Sequence, residues 1–325
     1  MTTDRARRTA HILKTQFAKD GQYEFESHIG SGEQADVYTI RRANQAQGPD
    51  RVVVKIPLSG FETIFGGGNV AANEFSERVA LQHLRGAAHV VQIIEPQGLD
   101  PLAAVAGSLS NGQWIYMEHL ANGTLNSFLS RAASHKIFIP NRMIWRLMMC
   151  YVRMACALAW PNAHDPSITR VEDPLPHIPP YVLLNSDMHS GNLMFGPLAP
   201  DSSDIEHGLV PILKMIDLGL VRKRLTPDPA AFDKMTKEFV RRIGREVERI
   251  AAVGRGHISD QGVDPDLRST VLATQREEDL LKPSLSELAT VTAKAIQERD
   301  AAWYGRNMPT TVNPANEDDP AIRQI

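Results

Sequence analysis

The chain has 325 residues, of which 42% are hydrophobic and 22% are charged, a composition typical of globular proteins. Its formal net charge of −3 provides no strongly basic surface, so we expect no nucleic-acid partner. The longest apolar stretch, Met143 to Trp160, is interrupted by Arg146 and Arg153, and its apolar residues recur at helical spacing. We therefore expect a buried helix there, and no membrane partner.

The two cysteines, Cys150 and Cys156, fall within that same helical pattern. At their separation on a helix they are too far apart to bridge, so the sequence predicts buried free thiols. Nothing in the cysteine pattern suggests a disulfide framework or a zinc site, which fits a reducing compartment, the cytoplasm or the nucleus. His207 lies in a polar loop, where we expect a solvated side chain rather than a ligand.

The first part of the chain has the pattern of short strands separated by glycine-rich or polar turns. Three strands are predicted between Tyr23 and about Pro57, over "YEFESHIGSG", "ADVYTIRRA" and "RVVVKIP". A helix over "NEFSERVALQHLR" follows, and then two more strands over "HVVQIIEP" and "QWIYMEHL". This pattern indicates a small sheet with one helix packed on it.

After this sheet the pattern becomes mainly helical. Helices are predicted near residues 125–133, over "PNRMIWRLMMCYVRMACALAW", over "FDKMTKEFVRRIGREVERIAAV" and over "LSELATVTAKAIQERDAAWYG". A proline-rich loop over residues 161–180 is followed by two short apolar strands, and the tail from Pro309 is expected to be loosely ordered in part. The predicted class is α+β, with a small β-rich lobe followed by a larger helical lobe.

The first lobe contains residues suited to binding phosphate. In "IGSGEQADVY", Gly30 and Gly32 would let backbone N–H groups approach a phosphate, although a lone G-x-G also occurs in plain hairpin turns. A strand rather than a helix follows, which favours a glycine-rich flap over a dinucleotide fold. Lys55 interrupts a β-branched run and is suited to pairing with phosphates, the alternative being a solvated lysine on an edge strand.

A buried lysine needs an anionic partner, and the next helix offers one in Glu77. Glu77, Leu81 and Leu84 fall at i, i+4 and i+7, so Glu77 shares the apolar face of the helix, whereas Glu74 lies on the outer side. The spacing therefore predicts that Lys55 pairs with Glu77. The alternative is a surface glutamate.

The second lobe contributes two polar segments, "NSDMHSGNLMF" and "ILKMIDLGLV". Asp187, Asn192 and Asp217 in these segments carry oxygen atoms of the kind that Mg²⁺ prefers and shares with substrate phosphates. Two of them could hold metal while Asp187 accepts a proton from an attacking hydroxyl. Each residue is unremarkable alone, but a glycine loop, lysine, glutamate, D-x4-N and D-x-G in this order are not expected by chance.

This ordered set resembles the catalytic motifs of the protein-kinase superfamily. The segments "PNRMIWRLMMCYVRMACALAWPN", "PILKMIDLGL" and "PSLSEL…ERDAAWY" are similar to those of kinase-like proteins common in filamentous fungi. The resemblance covers roughly residues 23–324. It implies a bilobal fold with an N-lobe at residues 23–120 and a C-lobe at 121–308, flanked by an extension at 1–22 and a tail at 309–325.

The resemblance also implies the cofactors ATP and Mg²⁺ and a hydroxyl acceptor, either protein or small molecule. Asp187 would be the catalytic carboxylate, assisted by Lys55 and Glu77. Asn192 and Asp217 would be the metal ligands.

The segment "IYMEHLANGTL" is similar to the kinase hinge. Met117 would be the gatekeeper, and the backbones of Glu118 and Leu120 would face adenine. The implied nucleotide-binding set is Ile29, Gly30, Ser31, Gly32, Val37, Lys55, Met117, Glu118 and Leu120.

Departures from the family pattern leave the acceptor open. Where kinases carry His-Arg-Asp, this chain has Asn185, Ser186 and Asp187, so the arginine that reads an activation-loop phosphate is absent. His189 replaces the lysine of Ser/Thr kinases, which makes "DMHSGN" more similar to the loop of aminoglycoside and choline kinases. No Ala-Pro-Glu follows Asp217, and the segment after it is short. A Ser/Thr-type protein kinase is the family default, a small-molecule kinase is the alternative, and a pseudokinase that binds or scaffolds without turnover is the rival from another class.

Overall fold

The computed structural model describes residues 4–32, 35–43, 49–58, 77–95, 100–109, 114–161, 168–175, 178, 181–185, 187–198, 204–225, 229–308, 311–319 and 322. The chain mixes helices and strands, as predicted. It divides into two compact units. The first comprises Met1–Gln82 and Val91–His119, and the second comprises His83–Val90 and Leu120–Ile325.

The first unit contains a four-stranded antiparallel sheet. Its strands follow one another across the sheet in chain order: β1 (Tyr23–Ser31), β2 (Ala35–Arg42), β3 (Arg51–Pro57) and β4 (Ile115–Glu118). These four match the predicted strands. The strand predicted over "HVVQIIEP" is wrong, because this segment forms only isolated bridges, at Val90 and Ile93. The chain passes from the second unit to the first between Val90 and Val91, so this segment is divided between the two units.

Residues 1–22, expected as an extension, include a helix that completes the core of the first unit. Helix α1 (Asp4–Asp20) buries Leu13 and Phe17 against the sheet. Arg5 fixes the start of the helix through two hydrogen bonds to the buried carboxylate of Asp36, at 3.0 and 3.2 Å. The sheet residues in this core are Tyr38, Ile40, Val52, Val54, Ile56 and Tyr116.

The strand register separates the two faces of this sheet. Residues paired across neighbouring strands share a face, and successive residues of one strand alternate between faces. Val37 pairs with Lys55, and Val53, two residues before Lys55, pairs with Met117. Three residues of the predicted nucleotide set therefore lie on the sheet face opposite α1: Val37, Lys55 and Met117.

The second unit is built around helix α4 (Asn141–Ala159), which is buried along its whole length. The other α-helices among the described residues are α2 (Glu77–His83), α3 (Leu125–Ser134), α5 (Pro229–Ala252), α6 (Pro265–Thr274), α7 (Leu285–Glu298) and α8 (Ala301–Asn307). Helix α4 packs against α5 and α7. Among the described residues, no helix is both long and apolar enough to cross a membrane.

The last predicted helix is divided in two. The chain leaves helical geometry at Arg299, and Asp300 then starts α8 as its N-cap, with its carboxylate accepting from the Trp303 N–H at 2.6 Å. Aspartate is favoured at this position because its side chain satisfies an N–H that has no intrahelical acceptor. The prediction of one continuous helix is therefore wrong at this point.

Two short antiparallel pairs complete the second unit. β5 (Tyr181–Asn185) pairs with β8 (Val221–Leu225), and β6 (Leu193–Phe195) pairs with β7 (Leu213–Met215). The last pair corresponds to the two predicted apolar strands. Because Leu193 lies opposite Met215, the end of the D-x4-N segment lies beside the chain that leads to Asp217.

The C-terminal tail contains a buried carboxylate at the start of α4. Glu317 is 1% exposed and accepts hydrogen bonds from the N–H groups of Asn141 at 2.9 Å and Arg142 at 3.0 Å. The first N–H groups of a helix have no intrahelical acceptor, so Glu317 caps α4. This part of the tail is therefore ordered, whereas we expected the tail to be loosely ordered in part.

Candidate functional site

Lys55 and Glu77 are brought together in the first unit. Lys55 lies on β3, and Glu77 lies at the start of α2 as the structure describes it. Lys55 Nζ donates to Glu77 Oε1 at 2.7 Å, and the two side chains are 9% and 11% exposed. The pair predicted from helical spacing is present, and the alternatives of a solvated lysine and a surface glutamate are excluded.

The glycine segment forms the β1–β2 hairpin. Gly30 pairs with Val37, and the Gly32 N–H donates to Ala35 O at 2.8 Å. Ile29 lies at a register shift in β1, and its side chain is 54% exposed. Residues 33–34 lie outside the described residues. A plain hairpin turn and a glycine-rich flap over phosphates would both have this hairpin structure. The hairpin alone therefore does not distinguish the two interpretations of G-x-G.

The predicted hinge follows β4. Met117 is buried in the sheet, and the Glu118 N–H donates to Gln92 O at 3.0 Å. The Gln92 N–H in turn donates to Glu118 Oε1 at 2.8 Å. These bonds hold the end of β4 to the segment around Ile93. Leu120, the first residue of the next stretch of the second unit, is buried.

Asp187 is held in the second unit by three side chains of its own motif. Its N–H donates to Asn185 Oδ1 at 2.9 Å. Asn192 Nδ2 donates to Asp187 Oδ2 at 2.8 Å and to the Asp187 carbonyl at 3.1 Å. His189 Nε2 lies 3.2 Å from Asp187 Oδ1. Both carboxylate oxygens are thus positioned by neighbours.

The proton on His189 can be placed from its second contact. His189 Nδ1 accepts from the Gly191 N–H at 3.0 Å, so Nδ1 carries no proton and Nε2 is the donor to Asp187. A Cβ atom on Gly191 would lie 2.8 Å from His189 Cε1, closer than real Cβ contacts. The glycine of the motif is therefore required for this close approach of the histidine ring.

Asn192 is oriented by the same bonds. Both atoms of Asp187 that contact the Asn192 amide are acceptor oxygens, so the amide nitrogen Nδ2 must face Asp187. The amide oxygen Oδ1 then faces away from Asp187 and is the atom able to bind a cation. The Ile216 N–H donates to Asn192 O at 3.0 Å, which places Asn192 beside the residue before Asp217. Asp217 Oδ1 accepts from the Gly219 N–H at 3.0 Å.

Asn185 joins these segments, a role that the sequence did not indicate. It is buried, and it bonds to Asp187 through Oδ1 and to the Asp217 carbonyl through Nδ2, at 3.3 Å. The position of Asn185, two residues before Asp187, could have indicated this contact in the sequence. Asparagine side chains commonly accept a hydrogen bond from the backbone N–H two residues ahead. The second unit therefore brings Asp187, Asn192 and Asp217 into one local network.

Comparison with known proteins assigns no family. No protein-family model matches the chain, and no curated protein matches it significantly.

A second polar cluster is buried in the second unit. His89, Cys150 and His207 are 0%, 1% and 5% exposed. The expectation that His207 is solvated is wrong, because its ring is buried in contact with His89 and Cys150. His89 and His207 are 118 residues apart, so no short spacing could reveal their contact.

This cluster changes the titration of its members. Burial alone would raise the pKa of the Cys150 thiol, but hydrogen bonds from His207 and His89 outweigh it, and the pKa falls to about 6. Burial alone would lower the pKa of His89, but the charge of Glu172 outweighs it and raises the pKa to about 10. For Cys156, on the same helix, burial raises the pKa. The two cysteines are free thiols, as predicted, but they differ in their surroundings.

Proposed function

We propose that the chain is an ATP- and Mg²⁺-dependent phosphotransferase of bilobal, protein-kinase-like fold that acts on a hydroxyl acceptor. The observation that carries the proposal is the buried ion pair between Lys55 on a strand and Glu77 on a helix. Kinases use such a pair to hold ATP phosphates. The pair precedes, in kinase order, the hydrogen-bonded network of Asp187, Asn192 and Asp217.

The first unit supplies the proposed nucleotide contacts except that of Leu120, which belongs to the second unit. Glu77 orients Lys55 toward the phosphates, and the backbone N–H groups of residues 30–32 cover them. Val37 and Met117 share the sheet face of Lys55, which supports a common ligand for all three. Ile29, with its exposed apolar side chain, and the backbones of Glu118 and Leu120 complete the adenine contacts.

The second unit supplies a donor set that fits Mg²⁺. Asp217 offers a carboxylate and Asn192 an amide oxygen, both hard oxygen ligands. When bound, the ion neutralises phosphate charge during transfer. Asn192 is suited to bind the metal because its amide nitrogen is hydrogen-bonded to Asp187, which leaves its amide oxygen facing away from Asp187.

Asp187 is the catalytic carboxylate of the proposal. It accepts a hydrogen bond from the acceptor hydroxyl and orients that hydroxyl for attack. Asn192 and His189 each hold one of its oxygens, so the carboxylate is positioned before substrate arrives. A positioned base of this kind contributes about 10²–10⁴ in rate.

We propose a protein hydroxyl as the acceptor first, because the sequence motifs resemble those of Ser/Thr-type protein kinases. One observation favours a small molecule instead. His189 occupies the position of the protein-kinase lysine and is bonded to Asp187 and Gly191, so it serves the catalytic carboxylate.

The test is transfer of label from γ-labelled Mg-ATP by the purified chain to separated protein and metabolite pools. Label in the protein pool supports a protein kinase, and label in the metabolite pool supports a small-molecule kinase. Asp187→Asn should lower the signal in either pool by about 10²–10⁴. Mg-ATP binding without transfer to any acceptor would refute the phosphotransferase and establish a nucleotide-binding module.

A further inference from the structure

The buried cluster of the second unit brings three metal-binding groups to one point. His89 Nε2 and His207 Nε2 are 3.1 Å apart, and Cys150 Sγ lies 3.8 Å from His207 Nε2. The three ligand atoms all lie within 4.8 Å of one another. The three residues come from distant parts of the chain, so the fold itself assembles the group.

Each histidine is held at its other ring nitrogen by a carboxylate. His89 Nδ1 lies 2.6 Å from Glu172 Oε2, and the Glu172 side chain is fully buried. His207 Nδ1 lies 3.2 Å from Asp204 Oδ2. A carboxylate only accepts, so Nδ1 carries the proton in both rings. Nε2 is therefore the atom of each ring that faces the other histidine, and it can bind either a second proton or a metal, as in metal-binding histidines whose other nitrogen is bonded to a carboxylate.

These tautomers have an electrostatic consequence. Two unprotonated nitrogens 3.1 Å apart repel each other unless a positive charge lies between them. The charge is either an additional proton or a metal ion. The sulfur of Cys150 beside the same point is a third atom able to bind a metal ion.

We propose that His89, Cys150 and His207 bind a zinc ion. In a tetrahedral site with Zn–N of about 2.1 Å and Zn–S of about 2.3 Å, two nitrogens lie about 3.4 Å apart and a nitrogen and a sulfur about 3.6 Å apart. The observed separations of 3.1 and 3.8 Å are close to these values. Nitrogen and sulfur are the ligands that zinc prefers, unlike the oxygen set of Asp217 and Asn192.

The surroundings indicate a structural role for the ion. Arg153, on the same helix as Cys150, donates to the Glu172 carbonyl at 2.6 Å and pairs with Glu206 at 2.5 Å. Arg153 thus ties both carboxylate-bearing segments to α4. A zinc ion would cross-link the same three parts of the second unit, and all three of its ligands are buried.

The first experiment is the metal content of the full-length chain purified without chelator, measured by inductively coupled plasma mass spectrometry. We expect one zinc per chain in the wild type and in Cys156→Ala, which removes an equally buried thiol from the same helix. Cys150→Ala should lose most of it. A metal-free wild type, or equal zinc in both variants, would overturn the proposal and leave a proton-sharing cluster.

The second experiment replaces zinc with cobalt in the wild-type chain. Co²⁺ should give visible d–d bands and a near-ultraviolet sulfur-to-cobalt band, and the latter should be missing in Cys150→Ala. Glu172→Gln keeps all three ligands, and we expect a 10–100-fold weaker affinity for zinc in a chelator competition. Unchanged affinity in Glu172→Gln would contradict the assigned tautomer, and absence of the sulfur band in the wild type would refute the site. Asp217→Asn should retain zinc, so these outcomes are independent of phosphotransfer.

Discussion

Lys55 Nζ lies 2.7 Å from Glu77 Oε1, although the two side chains are only 9% and 11% exposed. A buried ion pair contributes little net stability, because desolvation of two charges offsets most of their attraction. The presence of this pair is therefore better explained by a functional role of the Lys55 charge than by a contribution to the stability of the fold. This distinction can be measured.

The first prediction separates stability from activity at this pair. Glu77→Leu alone leaves the lysine charge buried, and we expect a loss of about 3 kcal/mol in the free energy of unfolding. Adding Lys55→Met should restore most of the stability, whereas phosphotransfer should be lost in both variants. Urea unfolding and the labelled-ATP assay measure the two effects.

A matched control is the exposed pair between Arg51 and Glu26, which joins β3 to β1 at 2.7 Å. Glu26→Gln should change stability by less than about 1 kcal/mol and leave activity intact. If the double variant of Lys55 and Glu77 keeps wild-type activity, the lysine does not serve the phosphates and the pair is structural.

The second prediction concerns Mg-ATP binding. At a hundred times its dissociation constant, Mg-ATP should stabilise the folded chain by about 2.7 kcal/mol. For a chain of this size that corresponds to a rise of roughly 5 °C in Tm. Asp217→Asn removes a charged metal ligand, so the Mg²⁺-dependent part of the shift should disappear. A chain that shows no shift with any purine nucleotide would contradict the proposed cofactor.

The sequence predicted those features that depend on local periodicity. The alternation of "RVVVKIP" identified β3, and the i, i+4, i+7 spacing placed Glu77 on the inner face of its helix. The long apolar repeat identified α4. Two aspartates and an asparagine in kinase order indicated the candidate catalytic residues, although their hydrogen bonds through Asn185 and His189 became visible only in the structure.

Features that depend on distant contacts could not be predicted. The buried residues of α1 recur at helical spacing, but only Leu13 and Phe17 are large and apolar among many charges. Glu317 caps a helix that begins 176 residues earlier. The histidines of the buried cluster are likewise far apart in sequence. In each case the partner comes from another part of the chain, so no local pattern carries the information.

The third prediction concerns the pH dependence of stability through Asp36. Burial alone would raise the pKa of this carboxyl, but the hydrogen bonds from Arg5 and Ser31 outweigh it and lower the pKa below its usual range. A lowered folded pKa gives stability that is present above the unfolded pKa, about 3.9, and is lost as pH falls through the folded pKa. Above pH 5, Arg5→Ala should therefore be less stable than the wild type by about 1–3 kcal/mol.

The difference between the two proteins should shrink as the pH falls below about 4 and through the lowered folded pKa of Asp36, below which the carboxyl is protonated in both. Urea unfolding between pH 3 and pH 7 measures it. Arg7→Ala is the control, since the nearby pair of Arg7 and Asp4 is mostly exposed and should matter little at any pH. A difference between wild type and Arg5→Ala that stays constant across this range would show that Arg5 acts by packing rather than by its charge.

The fourth prediction returns to Asp187. Asp187→Asn should lower turnover by about 10²–10⁴ while leaving Mg-ATP affinity nearly unchanged, because the carboxylate serves the acceptor. Asn192→Ala should instead weaken Mg²⁺ dependence and turnover together, since it removes a metal ligand and a donor to Asp187. Gly191→Ala forces His189 away and should lower turnover with no change in Mg²⁺ dependence. Initial rates across a Mg²⁺ titration distinguish the three variants, and wild-type turnover in Asp187→Asn would rule out the proposed mechanism.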